Sequence, residues 1–294
     1  MTKRESACRL RRSSSVVICT VFLCSVTACT SSAVSDADDV PAVSLHVTDD
    51  NDSGLDLRLL MDTGAEITVF DQSLADELTL TFIRNVNVSG GTDAHSEAGI
   101  YLAKSISLGG AYAENTPVLM MDLVSRGGPF LHGIDGIFSA AAFAPSLTEF
   151  DLARGSVTIL PPEDEPDTEF SVYTESDTSG LPQARVTIDG LEILAVIDTG
   201  APDLIILPMA YAEELPLKTA LTEGGRSRTV NDENVAFQAQ LDGLLEISGH
   251  TWDSPAVTFL EDQSGPVIGM DALGGALVTL DPANGRAWLR WPEK

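Results

Sequence analysis

One seven-residue segment occurs twice in this chain. Leu59-Leu60-Met61-Asp62-Thr63-Gly64-Ala65 returns 136 residues later as Ala195-Val196-Ile197-Asp198-Thr199-Gly200-Ala201. Two later landmarks recur in the same order. Gly136-Ile137-Phe138-Ser139 matches Pro266-Val267-Ile268-Gly269, and Asp151-Leu152-Ala153-Arg154-Gly155 matches Asp281-Pro282-Ala283-Asn284-Gly285. Both later pairs share an offset of 130, so one net six-residue difference in length separates them from the first motif. Coincidence would not keep the second offset constant. The chain therefore reads as a duplication and should fold as two similar halves.

Each copy reads as mostly β. Residues 43–47 alternate apolar and polar, a polar turn follows, and residues 55–61 lead into the first Asp-Thr-Gly. In the second copy, residues 184–188, the dipeptide Asp189-Gly190 and residues 191–197 repeat the plan. Asp-Gly between apolar runs is a strong hairpin signal. Third apolar runs follow at 67–70 and 204–207, then short helices are expected at 72–78 and 209–215. Later runs at 106–108, 117–121, 157–160, 244–247, 256–260 and 276–280 complete the strands.

The N-terminus has the parts of a secretory signal. Lys3, Arg4, Arg9, Arg11 and Arg12 precede an apolar run at 16–26, which ends at Thr27-Ala28-Cys29. The run is too short to span a bilayer comfortably as a helix. Val26-Thr27-Ala28-Cys29 resembles the bacterial lipobox, which implies lipidation of Cys29; the alternative is an ordinary cleaved signal followed by an idle cysteine. The expected organisation is a signal peptide at 1–28, an acidic tether at 29–41, a first lobe at 42–161, a Pro/acidic linker at 162–169 and a second lobe at 170–294. Pro161-Pro162 and Pro166 flank three acids and cannot lie inside a sheet or helix. Each lobe then has about 120 residues, enough for one small core.

The four cysteines, Cys8, Cys19, Cys24 and Cys29, all lie in or at the end of the signal segment. This excludes a cysteine nucleophile, a cysteine metal site and a disulfide from the folded part. The formal charge of −27 becomes −31 once the five bases and one acid of 1–28 are gone, which disfavours nucleic acid as a partner. His46, His95, His132 and His250 are scattered and lack metal-site spacing, so neither a metal nor another cofactor is expected. No Gly-x-Ser-x-Gly elbow is present. The three tryptophans, Trp252, Trp288 and Trp291, read as core or lobe-edge aromatics.

The chemistry then rests on the two aspartates. Each closes an apolar strand that carries it inward, and Gly64 or Gly200 permits a sharp turn with close backbone approach. One such acid alone would be a costly buried charge. Two that face each other share a proton, one serving as base and the other as acid. These residues resemble the aspartic peptidases, specifically the retropepsin-like group with Asp-Thr-Gly-Ala, from about Val43 to Trp291. The resemblance implies an all-β fold of two pseudo-twofold lobes with Asp62 and Asp198 as the catalytic dyad. It implies an interlobe grip by Thr63 and Thr199, and glycine-rich flaps for which Gly90, Gly91, Gly224 and Gly225 are the candidates. A peptide or protein substrate would lie extended against strand edges, and no metal or covalent intermediate is needed. Two departures stand out. Ser139 replaces a glycine at which a strand passes close to the active-site turn, and Asp203 puts an acid near the dyad, where it could raise the dyad's pKa values.

A lipid-anchored monomer facing the periplasm or exterior is expected. Two rivals remain: lobes that pair between chains, and a peptide-binding lipoprotein without catalysis.

Overall fold

Alternating side chains set the hairpins that open both halves. In the computed structural model, which describes residues 15–17, 21–22, 41–92, 95–123, 131–167, 171–172, 180–229, 231 and 233–292, two short strands, β1 (Ser15–Val17) and β2 (Val21–Phe22), precede the lobes. In the first lobe, β3 (Ala42–Thr48) and β4 (Gly54–Met61) pair antiparallel. Asp49 holds their turn by accepting from the backbone N–H groups of Asn51, Ser53 and Thr79. The Thr79 bond is the first cause of this carboxyl's lowered pKa. β5 (Val69–Asp71), the long hairpin of β6 (Thr81–Ser89) and β7 (His95–Leu108), β8 (Ala111–Met121) and β9 (Gly136–Phe138) follow. Because β7 bonds to β3, β6 and β8, the sheet closes on itself. A final hairpin, β10 (Leu147–Asp151) and β11 (Ser156–Leu160), leaves the lobe.

The second half repeats this order. After β12 (Ser171–Val172) come the hairpin of β13 (Gln183–Ile188) and β14 (Leu191–Ile197), then β15 (Ile205–Pro208). Asp189 and Gly190 take φ of 46° and 87°, the twin positive angles of a tight hairpin turn. β16 (Thr222–Thr229) matches β6, and the long pair β7–β8 is here broken into β17 (Glu233–Gln240), β18 (Leu244–Ile247), β19 (His250–Asp253) and β20 (Ala256–Leu260). Asp242-Gly243 and Ser254-Pro255 interrupt the strands, Ser254 at a φ of 49°. β21 (Val267–Ile268), β22 (Leu277–Asp281) and β23 (Arg286–Arg290) close the chain.

The recurring landmarks are the same structural positions. β9 lies between β4 and β5, with Leu60 opposite Ile137; β21 lies between β14 and β15, with Val196 opposite Val267. Asp151 and Asp281 each accept from the N–H three residues on, in turns closed by Gly155 and Gly285 at φ of 61° and 64°. Arg154 holds the Asp151 carboxyl below its ordinary pKa. The net six-residue difference hides larger changes: β5 and β15 match at an offset of 137, and β8 and β20 at 139.

A five-stranded sheet, β11-β10-β22-β23-β12, joins the lobes. Glu149, the repeat mate of Thr279, is paired with it across β10 and β22, so the pseudo-twofold axis runs through that pair. Apolar residues of both lobes, among them Phe138, Phe150, Ile197, Val278 and Leu280, form one continuous core. The expected helices are shorter than predicted. They are single 3-10 turns, Gln72–Asp76 and Met209–Glu213, whose ends bond back to Leu74 and Tyr211 before the chain turns into the next strand. Among the described residues no helix is long and apolar enough to cross a membrane.

Candidate active site

Both aspartates sit where an apolar strand ends against the interior. Met61 and Ile197 are fully buried, and Asp62 and Asp198 after them are 0% exposed. Each is fixed on both sides. The backbone N–H of Asp62 donates to the Phe138 carbonyl at 3.2 Å, and that of Asp198 to Ile268 at 3.0 Å. Each carboxylate accepts from the glycine two residues on, Gly64 or Gly200, at 2.7 Å.

The threonines link the two turns across the lobe boundary. The Thr63 hydroxyl donates to the Ile197 carbonyl at 2.7 Å and accepts from the Thr199 N–H at 3.1 Å. Reciprocally, the Thr199 hydroxyl donates to Met61 O at 2.6 Å and accepts from the Thr63 N–H at 3.0 Å. Four buried bonds thus tie the strand ends that carry Asp62 and Asp198, each satisfying a group that would be costly to bury alone. The sequence-predicted dyad and its four supporting residues are all brought to this one place.

The flap candidates divide. Gly90 and Gly91 lie in the turn between β6 and β7, Gly91 at a φ of 82°. Gly224 and Gly225 do not form the second tip, as the sequence reading had them; they lie inside β16, where Gly224 is the extra residue of a bulge between Glu223 and Gly225. β6 has a bulge of its own at Ile83, two residues farther from its tip. A bulge and a turn both recruit glycine, and position in the repeat did not separate them. The second tip lies between β16 and β17 and carries Asn231, with no glycine beside it. The turn-forming pair Asn231-Asp232 was the available signal.

The tips bond to the opposite lobe. Asn231 Nδ2 donates to Val88 O at 2.8 Å, and the Ser96 hydroxyl donates to Asn231 Oδ1 at 2.6 Å. The backbone N–H and the hydroxyl of Ser264, from the second lobe, both donate to Gly91 O, at 3.0 and 2.8 Å. Sequence reasoning missed Asn231, Ser96 and Ser264 because each acts through a partner more than 130 residues away.

The two departures are accommodated differently. Ser139 causes no clash: its hydroxyl donates to Ala65 O at 2.6 Å and accepts from the Ala141 N–H at 3.2 Å, while its own N–H donates to the Thr68 hydroxyl. Asp203 is largely buried and accepts from the Thr258 hydroxyl at 2.6 Å. Burial raises its pKa above the ordinary 3.8, the Thr258 bond opposes this, and the Asp271 charge adds to the rise. Asp271 is itself raised by burial. The folded protein therefore binds a proton at Asp203 more tightly than the unfolded chain does. Stability from this group is fully present below 3.8 and is lost as pH rises through the folded value. Asp203→Asn should raise Tm at pH 7 by a few degrees, with the gain disappearing below pH 3.8. Thermal melts of both proteins at pH 3 and pH 7 check this; an equal shift at both would contradict it.

Among the described residues no cluster of three or more His, Cys, Asp or Glu side chains could hold a metal ion. Cys29 lies outside the described residues. A search of curated proteins gave no match. The family model for aspartyl protease matches residues 48–139 and again 184–272. Each matched segment contains one Asp-Thr-Gly turn and the strand that packs beside it. On that double match, and on two all-β lobes related as the repeat requires, the chain belongs to the retropepsin-like aspartyl protease family.

Proposed function

We propose that this chain is an aspartic endopeptidase with Asp62 and Asp198 as its catalytic dyad. The observation that carries this reading is the reciprocal threonine clamp, which fixes two fully buried aspartates at equivalent strand ends. With one carboxylate ionised and the other protonated, the ionised member takes a proton from water as its oxygen attacks the peptide carbonyl carbon. The protonated partner donates to the developing oxyanion, and the leaving nitrogen then collects a proton as the carbon–nitrogen bond breaks. The protein's own carboxylates supply every proton transfer.

A monomer is the working unit, a reading supported by the pairing of β10 with β22 inside one chain. Ser139 and the divergence between the lobes favour the rival reading of binding without catalysis, and the hydrogen bonds that seat Ser139 without a clash weigh for the catalytic one. Incubation with an unfolded protein between pH 3 and pH 8, using the monomeric fraction from gel filtration, tests the proposal. Cleavage with an acidic optimum is expected, and cleavage that survives loss of either aspartate would sink it.

The same chain is proposed to be an exported lipoprotein anchored through Cys29, on the strength of the basic head, apolar run and Val26-Thr27-Ala28-Cys29. Mass spectrometry of the mature N-terminus should find a lipid-modified Cys29. An unmodified cysteine, or a different N-terminus, would contradict the anchor.

A further inference from the structure

The two lobes differ on the sheet face that packs against their Asp-Thr-Gly turns. In the first lobe this face is apolar: Val86, Val88, Ile100 and Leu119 share one buried cluster with Ala65, which follows the Asp62 turn. The strand registers identify their mates in the second lobe. Val69 pairs with Leu119 and its mate Ile206 with Thr258, so Thr258 takes the place of Leu119. The same step to the neighbouring strands puts Gln238 at the place of Ile100, Gly225 at that of Val86 and Ser227 at that of Val88. Ala201, which follows the Asp198 turn, is packed with Ala236 and Leu260 of this face.

Glycine, serine and threonine are smaller than the residues they replace, and serine, threonine and glutamine bring polar groups where the first lobe has none. Two of these groups form a chain of donors. Gln238 Nε2 donates to the Thr258 hydroxyl at 3.5 Å, and that hydroxyl donates to Asp203 Oδ1 at 2.6 Å. Asp203 lies in the segment where the second lobe has one residue more than the first. The charge acting on it is that of Asp271, of the same sign, and among the described residues no basic side chain acts on either carboxyl. Nearer the hairpin tip, Ser227 is 5% exposed, and its hydroxyl is buried with no hydrogen-bond partner among the described residues. Asp203, Gly225 and Gln238 keep part of their exposure, so the face is open along its length. A carboxylate only accepts, and beside a second acid with no base it is suited to a cation.

We infer that this face of the second lobe is a specificity pocket for a basic substrate side chain, lysine or arginine, with Asp203 as the acceptor of its charge, an inference that rests on the peptidase reading. The aliphatic stem takes the space that Val86 and Leu119 fill in the first lobe, and the charged end reaches Asp203. The Ser227 hydroxyl meets the polar main chain of the same peptide. The matching wall of the first lobe, apolar throughout, takes an apolar side chain. The two walls thus select different side chains at equivalent positions on either side of the bond that is cut.

The test uses the protein and its Asp203→Asn variant with a random peptide library at pH 6. Mass spectrometry of the products should find lysine and arginine enriched at one position on one side of the cleaved bond, by the parent only. Two peptides that differ at that position, lysine in one and norleucine in the other, then measure the preference. The parent should favour lysine in kcat/KM by about tenfold or more, since a desolvated charge pair is at stake, and the variant should cut both alike. A merely structural Asp203 would change both rates together and leave their ratio. No basic enrichment in the parent, or the same enrichment in the variant, overturns the pocket while leaving the peptidase reading intact. If the parent cuts neither the library nor an unfolded protein, the peptidase reading fails. Retention of the library on immobilised protein then decides the pocket: a pool richer in lysine and arginine on the parent than on the variant supports it, and equal pools overturn it.

Discussion

Asp62→Asn and Asp198→Asn should each lower kcat/KM by about 10³-fold or more, and the double variant should be little worse than either single one. Acid–base groups of this kind contribute roughly 10²–10⁴-fold, and residues that act as a unit are strongly non-additive. Asparagine keeps an oxygen that can accept from Gly64 or Gly200, so the turn's 2.7 Å bond has a substitute. What is lost is the capacity to exchange a proton with water or substrate. Melting temperatures should therefore stay within a few degrees of the parent while activity disappears. Peptide cleavage kinetics alongside thermal melts separate the two effects. More than a tenth of the parent activity in either variant would mean that the buried pair is structural.

The second large effect concerns Gly269, the repeat mate of Ser139. A Cβ at Gly269 would lie 2.2 Å from the Asp203 carbonyl oxygen and 2.6 Å from that of Ala201. Both obstacles are backbone, so no side chain can swing away. The crowding has a local cause. Between Asp-Thr-Gly and its third strand, the second lobe has one residue more than the first, and that longer segment carries Asp203 over Gly269. Gly269→Ala should therefore cost about 3 kcal/mol or more, at the upper end of overpacking effects. It should also lower activity, because Ala201 continues the Asp198 turn. Ser139→Gly loses only the bonds to Ala65 and Ala141 and should cost about 1–2 kcal/mol. Urea midpoints measure both, and an unchanged midpoint for Gly269→Ala would refute the packing argument.

Much of this was legible because local signals and the repeat agreed. Asp189-Gly190 specified a tight turn without help from the rest of the chain, and the strand ends at Asp62 and Asp198 followed from apolar runs closed by Asp-Thr-Gly. The constant offset of 130 marked strands that insert beside those turns. Reading failed where one residue type serves two purposes. Gly224-Gly225 looked like a tip and proved to be a bulge, since φ freedom is useful in both. It also failed where meaning lies in a distant partner, as for Ser264 on Gly91 and Asn231 on Val88. The joining sheet could not be read at all, because β10 and β22 are about 130 residues apart and their pairing leaves no local trace.

The joining sheet has a consequence for evolution. A homodimer built from one such lobe would express every substitution on both walls of its cleft. Here the halves share one chain and mutate separately. Serine at 139 could coexist with glycine at 269, and the first hairpin could lengthen without its mate. The two walls therefore treat the two ends of a bound peptide as different, and the cleft can acquire a sense of direction that an identical pair of subunits would have to borrow from its substrate.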